Sequence, residues 1–165
     1  MTIDFLKRCL LFLILCLVQA LVFNRIQLFG CAMPLLYVYF VVTFRHDYPQ
    51  WLVLLWSFLM GLTVDMFANT PGVASMSLTL LAALQPYLLS LVMPRDVDEV
   101  MHTSAAELGW PKFFTYSALM TLVYCLVFFT VEAFNFFNWQ HWLMCVVGST
   151  VFTQILVVTL ESVRK

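Results

Sequence analysis

An all-α integral membrane bundle of six spans is the fold this sequence predicts, and two observations predict it. Hydrophobic residues make up 63% of the 165 residues and charged residues only 10%, against about 45–50% and about 25% in an ordinary soluble domain. The apolar residues also fall into continuous runs divided by short polar knots, not into the alternating segments of about ten residues that a membrane β-barrel requires. A helix that crosses a bilayer needs about 17–25 residues, so six crossings fill a single domain of this length. The net charge of -1 gives no sign of a nucleic-acid partner or a polyanionic substrate.

The first span, 9–23, is preceded by Lys7 and Arg8, which can snorkel back to the headgroups. The same basic pair ahead of an apolar stretch, with Val18, Gln19 and Ala20 behind it, also fits a cleaved signal peptide, whose loss would leave five spans. The second span covers 28–44, the third 51–67, the fourth 73–93, the fifth 113–134 and the sixth 142–160. Only the connection 94–112 is long. There Asp96 followed by Glu99 makes an acidic N-terminal pattern, and Val97, Val100, Met101, Ala105 and Leu108 recur at helical spacing until Gly109 and Pro111. This pattern predicts a short amphipathic helix lying on the cytoplasmic face, as a cover for the bundle or a docking surface.

Orientation follows from the basic residues. With the N-terminus inside, every Lys and Arg except Arg25 falls on the cytoplasmic side, so both termini are expected in the cytoplasm. Trp51, Trp110, Trp139 and Trp142 stand at predicted span ends, as interfacial aromatics do; Trp56 is the exception.

No pattern of catalytic groups emerges. A two-carboxylate mechanism needs acids close enough to share a proton, and the acids expected inside spans are Asp65 and Glu132. Glu132 lies about 28 Å along its helix, near the outer interface, where solvation explains it. The sequence has no HExxH and no GxSx nucleophile loop. His46, His102 and His141 fall in connections, and Cys9, Cys16, Cys31, Cys125 and Cys145 show no metal-binding spacing and read as packing residues. The expectation is a protein without catalytic residues, metal or cofactor.

Asp65 stands out. Counted from Trp51 it lies about 21 Å along its helix, inside a hydrocarbon core about 30 Å thick. A central Asp costs roughly 2.5–3.5 kcal/mol to insert, so the residue needs a reason or a partner. Asn69, Thr70, Pro71 and Gly72 form a re-entry turn, with Thr70 suited to cap the next helix and Pro71 to its first position. A carboxylate beside the open amides of that helix would meet a favourable dipole. Arg25 is the candidate charged partner, as the one basic residue on the outer side. Just beyond, Ser75, Thr79 and Ala83 repeat every four residues, a stripe of small side chains that would let another helix approach, within the bundle or from a partner.

The stretch GLTVDMFANTPGVASMSL resembles the signature of the rod shape-determining protein MreD family, through Gly61, Leu62, Asp65, Pro71, Gly72 and Ser75. Asn69 stands where many members have glycine, and Gly72 follows Pro71 directly where a spacer is common. The resemblance implies a bacterial inner-membrane component of the cell-elongation machinery, without enzymatic activity. It also implies an MreC-like scaffold protein as partner and, indirectly, MreB-like filaments and the synthases of the lateral cell wall. A fold like that of the substrate-binding subunits of energy-coupling-factor transporters is implied too. The competing expectation is accordingly a small-molecule, vitamin-type substrate-binding subunit, with Asp65, Asn69, Arg25 and Glu132 around an outer pocket and Gln19, Gln85 and Gln154 as further polar groups.

Overall fold

The computed structural model describes residues 2–21, 33–44, 48–92, 109–133 and 138–164. These residues are all-helical, with no strand among them. In chain order the helices are α1 (Thr2–Leu21), α2 (Val38–Val42), α3 (Gln50–Ala68), α4 (Val73–Val92), α5 (Trp110–Ala133) and α6 (Trp139–Arg164). The last four are long and apolar enough to cross a membrane. α1 is comparably long, but Asp4, Lys7 and Arg8 lie in its first turns.

The long helices pack in the order α1, α3, α4, α5, α6, and α2 touches α1, α3, α4 and α5 from within. Large apolar side chains on the outer faces, such as Leu10 and Leu17 of α1 or Met144 and Val151 of α6, are exposed, which suits a lipid solvent whose tails are as apolar as leucine. Trp51 and Trp139 are well exposed at the ends of α3 and α6. Trp56 is half-buried, edge-on to Phe12 and Phe40, so it is a packing residue and not an interfacial anchor.

The second predicted span, 28–44, needs correcting over its described part. Met33, Pro34 and Leu35 are not helical, and the helix that follows has five residues, all buried. Pro34 explains the break, because it lacks an N–H and disfavours helical geometry in the residue before it. Backbone left outside a helix at membrane depth must find partners in protein. Ser149 and Thr153 of α6 accept hydrogen bonds from Met33 N and Leu35 N, each at 3.1 Å. Gln19 of α1 clamps both sides of the break, accepting from Leu36 N at 3.1 Å and donating to Pro34 O at 3.0 Å.

The segment's tyrosines hold it further, with Tyr37 Oη 2.6 Å from Tyr124 Oη of α5 and Tyr39 donating to Glu161 of α6 at 2.7 Å. The predicted second span is thus the centre of the bundle, reached by polar side chains from its two outermost helices. Thr153→Val keeps the side chain's shape while leaving Leu35 N without its acceptor. Its expected cost is about 1–3 kcal/mol, read as a lower thermal midpoint in detergent. Thr159→Val should change little, because that exposed hydroxyl only bonds back to Ile155 O at 2.7 Å. Equal midpoints for the two variants would show that Thr153 does not hold the segment.

The connection 94–112 is described only at its end. Gly109 has φ 83° and its carbonyl accepts from Phe113 N at 3.0 Å, so Gly109 and Pro111 stand at the opening of α5. Proline is well placed in a first turn, where its missing N–H has no partner to lose. That amphipathic helix and Arg25 lie outside the described residues.

Candidate functional site

The turn joining α3 to α4 is built from residues close together in sequence. α3 ends at Asn69, which adopts the left-handed conformation (φ 57°, ψ 33°) and donates its backbone N–H to Asp65 O. Asparagine tolerates that conformation better than other residues with a Cβ, so it serves where glycine is usual. Gly72, at φ 86°, supplies the second left-handed step, and its carbonyl accepts from Met76 N at 3.1 Å, which starts α4.

Asp65 sits in the last full turn of α3 and is buried, with 6% of its surface exposed. Its Oδ1 accepts from Ala74 N at 2.8 Å and from the Thr70 hydroxyl at 3.2 Å, and its Oδ2 accepts from Ser75 N at 2.9 Å. Two of the open amides of α4 are therefore capped by a carboxylate delivered from the preceding helix. The helix dipole adds to the attraction, since negative charge is stabilised at a helix N-terminus. The capping role expected of Thr70 falls to Asp65, which Thr70 supports as a donor. Pro71 lies in the turn, and the helix begins at Val73.

Gly61 makes this geometry reachable. A Cβ there would stand 2.3 Å from Ser75 Cα, 2.7 Å from Ser75 N and 2.8 Å from Ala74 O. The backbones of α3 and α4 therefore touch one turn below Asp65, at the residues whose amides it binds. Leu62, next to Gly61, is partly exposed on the outer face of α3.

The small-residue stripe is divided. Ser75 is buried against Gly61 inside the chain, so it is not available to a partner helix. Thr79 and Ala83 are half-buried, and the Thr79 hydroxyl bonds back to Ser75 O at 2.6 Å. Thr79 thus offers a small side chain but no free hydroxyl proton.

The other polar residues singled out in sequence are mostly engaged between helices. Gln85 donates to Phe44 O at 3.2 Å, and Gln154 donates to the Ser117 hydroxyl at 2.7 Å. Asn69 and Glu132 are exposed. Among the described residues no cluster of three or more His, Cys, Asp or Glu side chains is arranged to hold a metal ion. Cys16, Cys125 and Cys145 are buried, and His141 Nδ1 is 3.4 Å from Cys145 Sγ one turn along α6.

Sequence reasoning passed over Ser149, Thr153, Tyr39 and Glu161. Ser149 and Thr153 stand four apart on one face of α6, the same spacing that drew attention to the α4 stripe. Glu161 falls just past the predicted end of the sixth span, and α6 continues to Arg164, so this acid is buried inside the bundle at 4% exposure.

Fold and turn together define the class: a multi-pass, all-helical membrane protein with a carboxylate-pinned α3–α4 hairpin. No protein-family model, curated protein or solved structure matches this chain.

Proposed function

We propose that this protein is a non-enzymatic membrane scaffold of the MreD type, working at the bacterial inner membrane in the cell-elongation machinery. In this reading it binds an MreC-like partner and supports lateral cell-wall synthesis. One observation carries the proposal. Four residues of the resemblance form a single unit, with Gly61 against Ser75, Asp65 on the amides of α4, and Gly72 in the turn between them. What that unit does chemically is mechanical. A carboxylate that accepts three hydrogen bonds has most of its acceptor capacity engaged in position and is poorly placed to shuttle protons. The product is a stiff α3–α4 hairpin whose outward side chains, Leu62, Met66, Met76 and Leu80, are exposed to the bilayer and can meet a partner's helix.

Helix association in lipid rests on close packing, and Thr79 and Ala83 remain the small residues on the hairpin's flank. Replacing both with leucine should weaken copurification of the MreC-like protein in mild detergent, with the variant at normal membrane abundance. Unchanged copurification would remove this flank from the interface. A second reading, the substrate-binding subunit of a small-molecule transporter, draws on the side chains of Gln19, Gln85 and Gln154 buried in the bundle interior. The same copurification separates the two. Scaffold and synthase partners favour the first, and a pair of ATPase subunits favours the second.

A further inference from the structure

At the end of the bundle where α3 begins and α4 finishes, a cavity of about 270 Å³ opens between these helices. Its size is just below the roughly 300–1,000 Å³ of ordinary small-molecule sites, so it suits a headgroup and not a whole drug-sized ligand. Gln85 lies about 10 Å from the end of α4 by helical rise, which places the cavity at the level where headgroups meet acyl chains.

The polar groups around it include several acceptors. Tyr48, Gln50 and Gln85 line it, beside Pro86 within α4. The amide nitrogen of Gln50 is committed to Ala83 O at 3.4 Å and that of Gln85 to Phe44 O at 3.2 Å. Each of these two side chains keeps its carbonyl oxygen, and one further N–H, for a ligand. Pro86 has no N–H, so the carbonyl of Ala82, which also lines the cavity, loses the donor a helix would give it. Among the described residues no acidic side chain lines the cavity. On the flank the Arg8 guanidinium lies over the Tyr48 ring, 4.0 Å from its centroid, and over the Phe44 ring at 4.5 Å. Lys7, its neighbour on α1, is exposed.

We infer that this cavity binds the headgroup of an aminophospholipid, its primary ammonium among the neutral acceptors and its phosphate toward Arg8 and Lys7. An ammonium brings three donors, which matches carbonyl oxygens of Ala82, Gln50 and Gln85 and the Tyr48 hydroxyl. A trimethylated headgroup has the same charge and no donor. This inference is independent of the partner protein proposed above.

The test is native mass spectrometry of the full chain in mild detergent, supplied with phosphatidylethanolamine, phosphatidylcholine or phosphatidylglycerol of identical acyl chains. Phosphatidylethanolamine should be retained about five- to tenfold better than phosphatidylcholine, as expected when buried donors and acceptors are matched in one ligand and not the other. Tyr48→Phe with Gln50→Met should abolish that preference while the thermal midpoint stays unchanged, since the Phe ring still carries Arg8. Equal retention of phosphatidylethanolamine and phosphatidylcholine by the wild-type protein would overturn the inference whatever the variant does. So would stronger retention of phosphatidylglycerol, which would reduce the site to a reader of negative charge, or a preference that survives in a folded variant.

Discussion

Replacing Asp65 with leucine should destabilise the protein by about 3–5 kcal/mol, enough to deplete it from the membrane. The substitution leaves Ala74 N and Ser75 N without acceptors at a buried helix start, and it removes the acceptor of the Thr70 hydroxyl. Each buried donor left unpaired costs about 1–3 kcal/mol, and the bilayer offers no water to compensate. Asp65→Asn should be milder, because its single amide oxygen can still serve Ala74 N. It cannot be neutral, since the amide nitrogen would then face Ser75 N, donor against donor. Membrane abundance and thermal midpoint in detergent, measured for both variants beside cell shape, check the ranking. Normal abundance and normal shape for Asp65→Leu would leave the pinned hairpin with no mechanical role.

Gly61→Ala should be the most disruptive single methyl group that can be added to α3. The three atoms that methyl would meet, at 2.3, 2.7 and 2.8 Å, all belong to the backbone of α4, so no side chain can swing aside. α3 and α4 must separate, and the bonds from Ala74 N and Ser75 N to Asp65 stretch with them. The expected cost exceeds the about 1–3 kcal/mol of ordinary overpacking. Gly72→Ala is the control, because nothing stands within 4 Å of its added carbon and only the φ of 86° resists it, a penalty of roughly 1–2 kcal/mol. A thermal midpoint for Gly61→Ala no lower than that of Gly72→Ala would show that the helices do not touch as closely as described. The two predictions test one device from opposite sides, since Asp65 pulls the hairpin shut and Gly61 lets it close.

The turn was legible because its parts are local. Asp65 and Ala74 are nine positions apart, so a carboxylate at the end of one apolar run and an Asn-Thr-Pro-Gly turn before the next already imply a meeting. What was misjudged there is a detail of role, the cap passing from Thr70 to Asp65, because the turn places Thr70 beside the carboxylate. The role of Ser75 was left open between the bundle and a partner for a related reason. A stripe of small residues announces a close approach but does not say which helix makes it, and here Gly61 of the same chain does.

The sequence by itself determined that the chain is apolar, that it is helical, and that α3 to α6 are long enough to cross a membrane. Hydropathy and length are properties of each run alone, and they need no knowledge of neighbours. Only the tertiary structure decided what becomes of the second run. Lipid and protein interior are both apolar, so a hydrophobic stretch reads the same whether it faces acyl chains or lies buried among other helices. The hydrogen bonds that let the chain unwind at Pro34 come from residues far away, Leu35 and Thr153 being 118 positions apart and Met33 and Ser149 being 116. A buried break is stable only when such distant side chains converge on it, and that convergence exists in the folded bundle and nowhere in the linear order of residues.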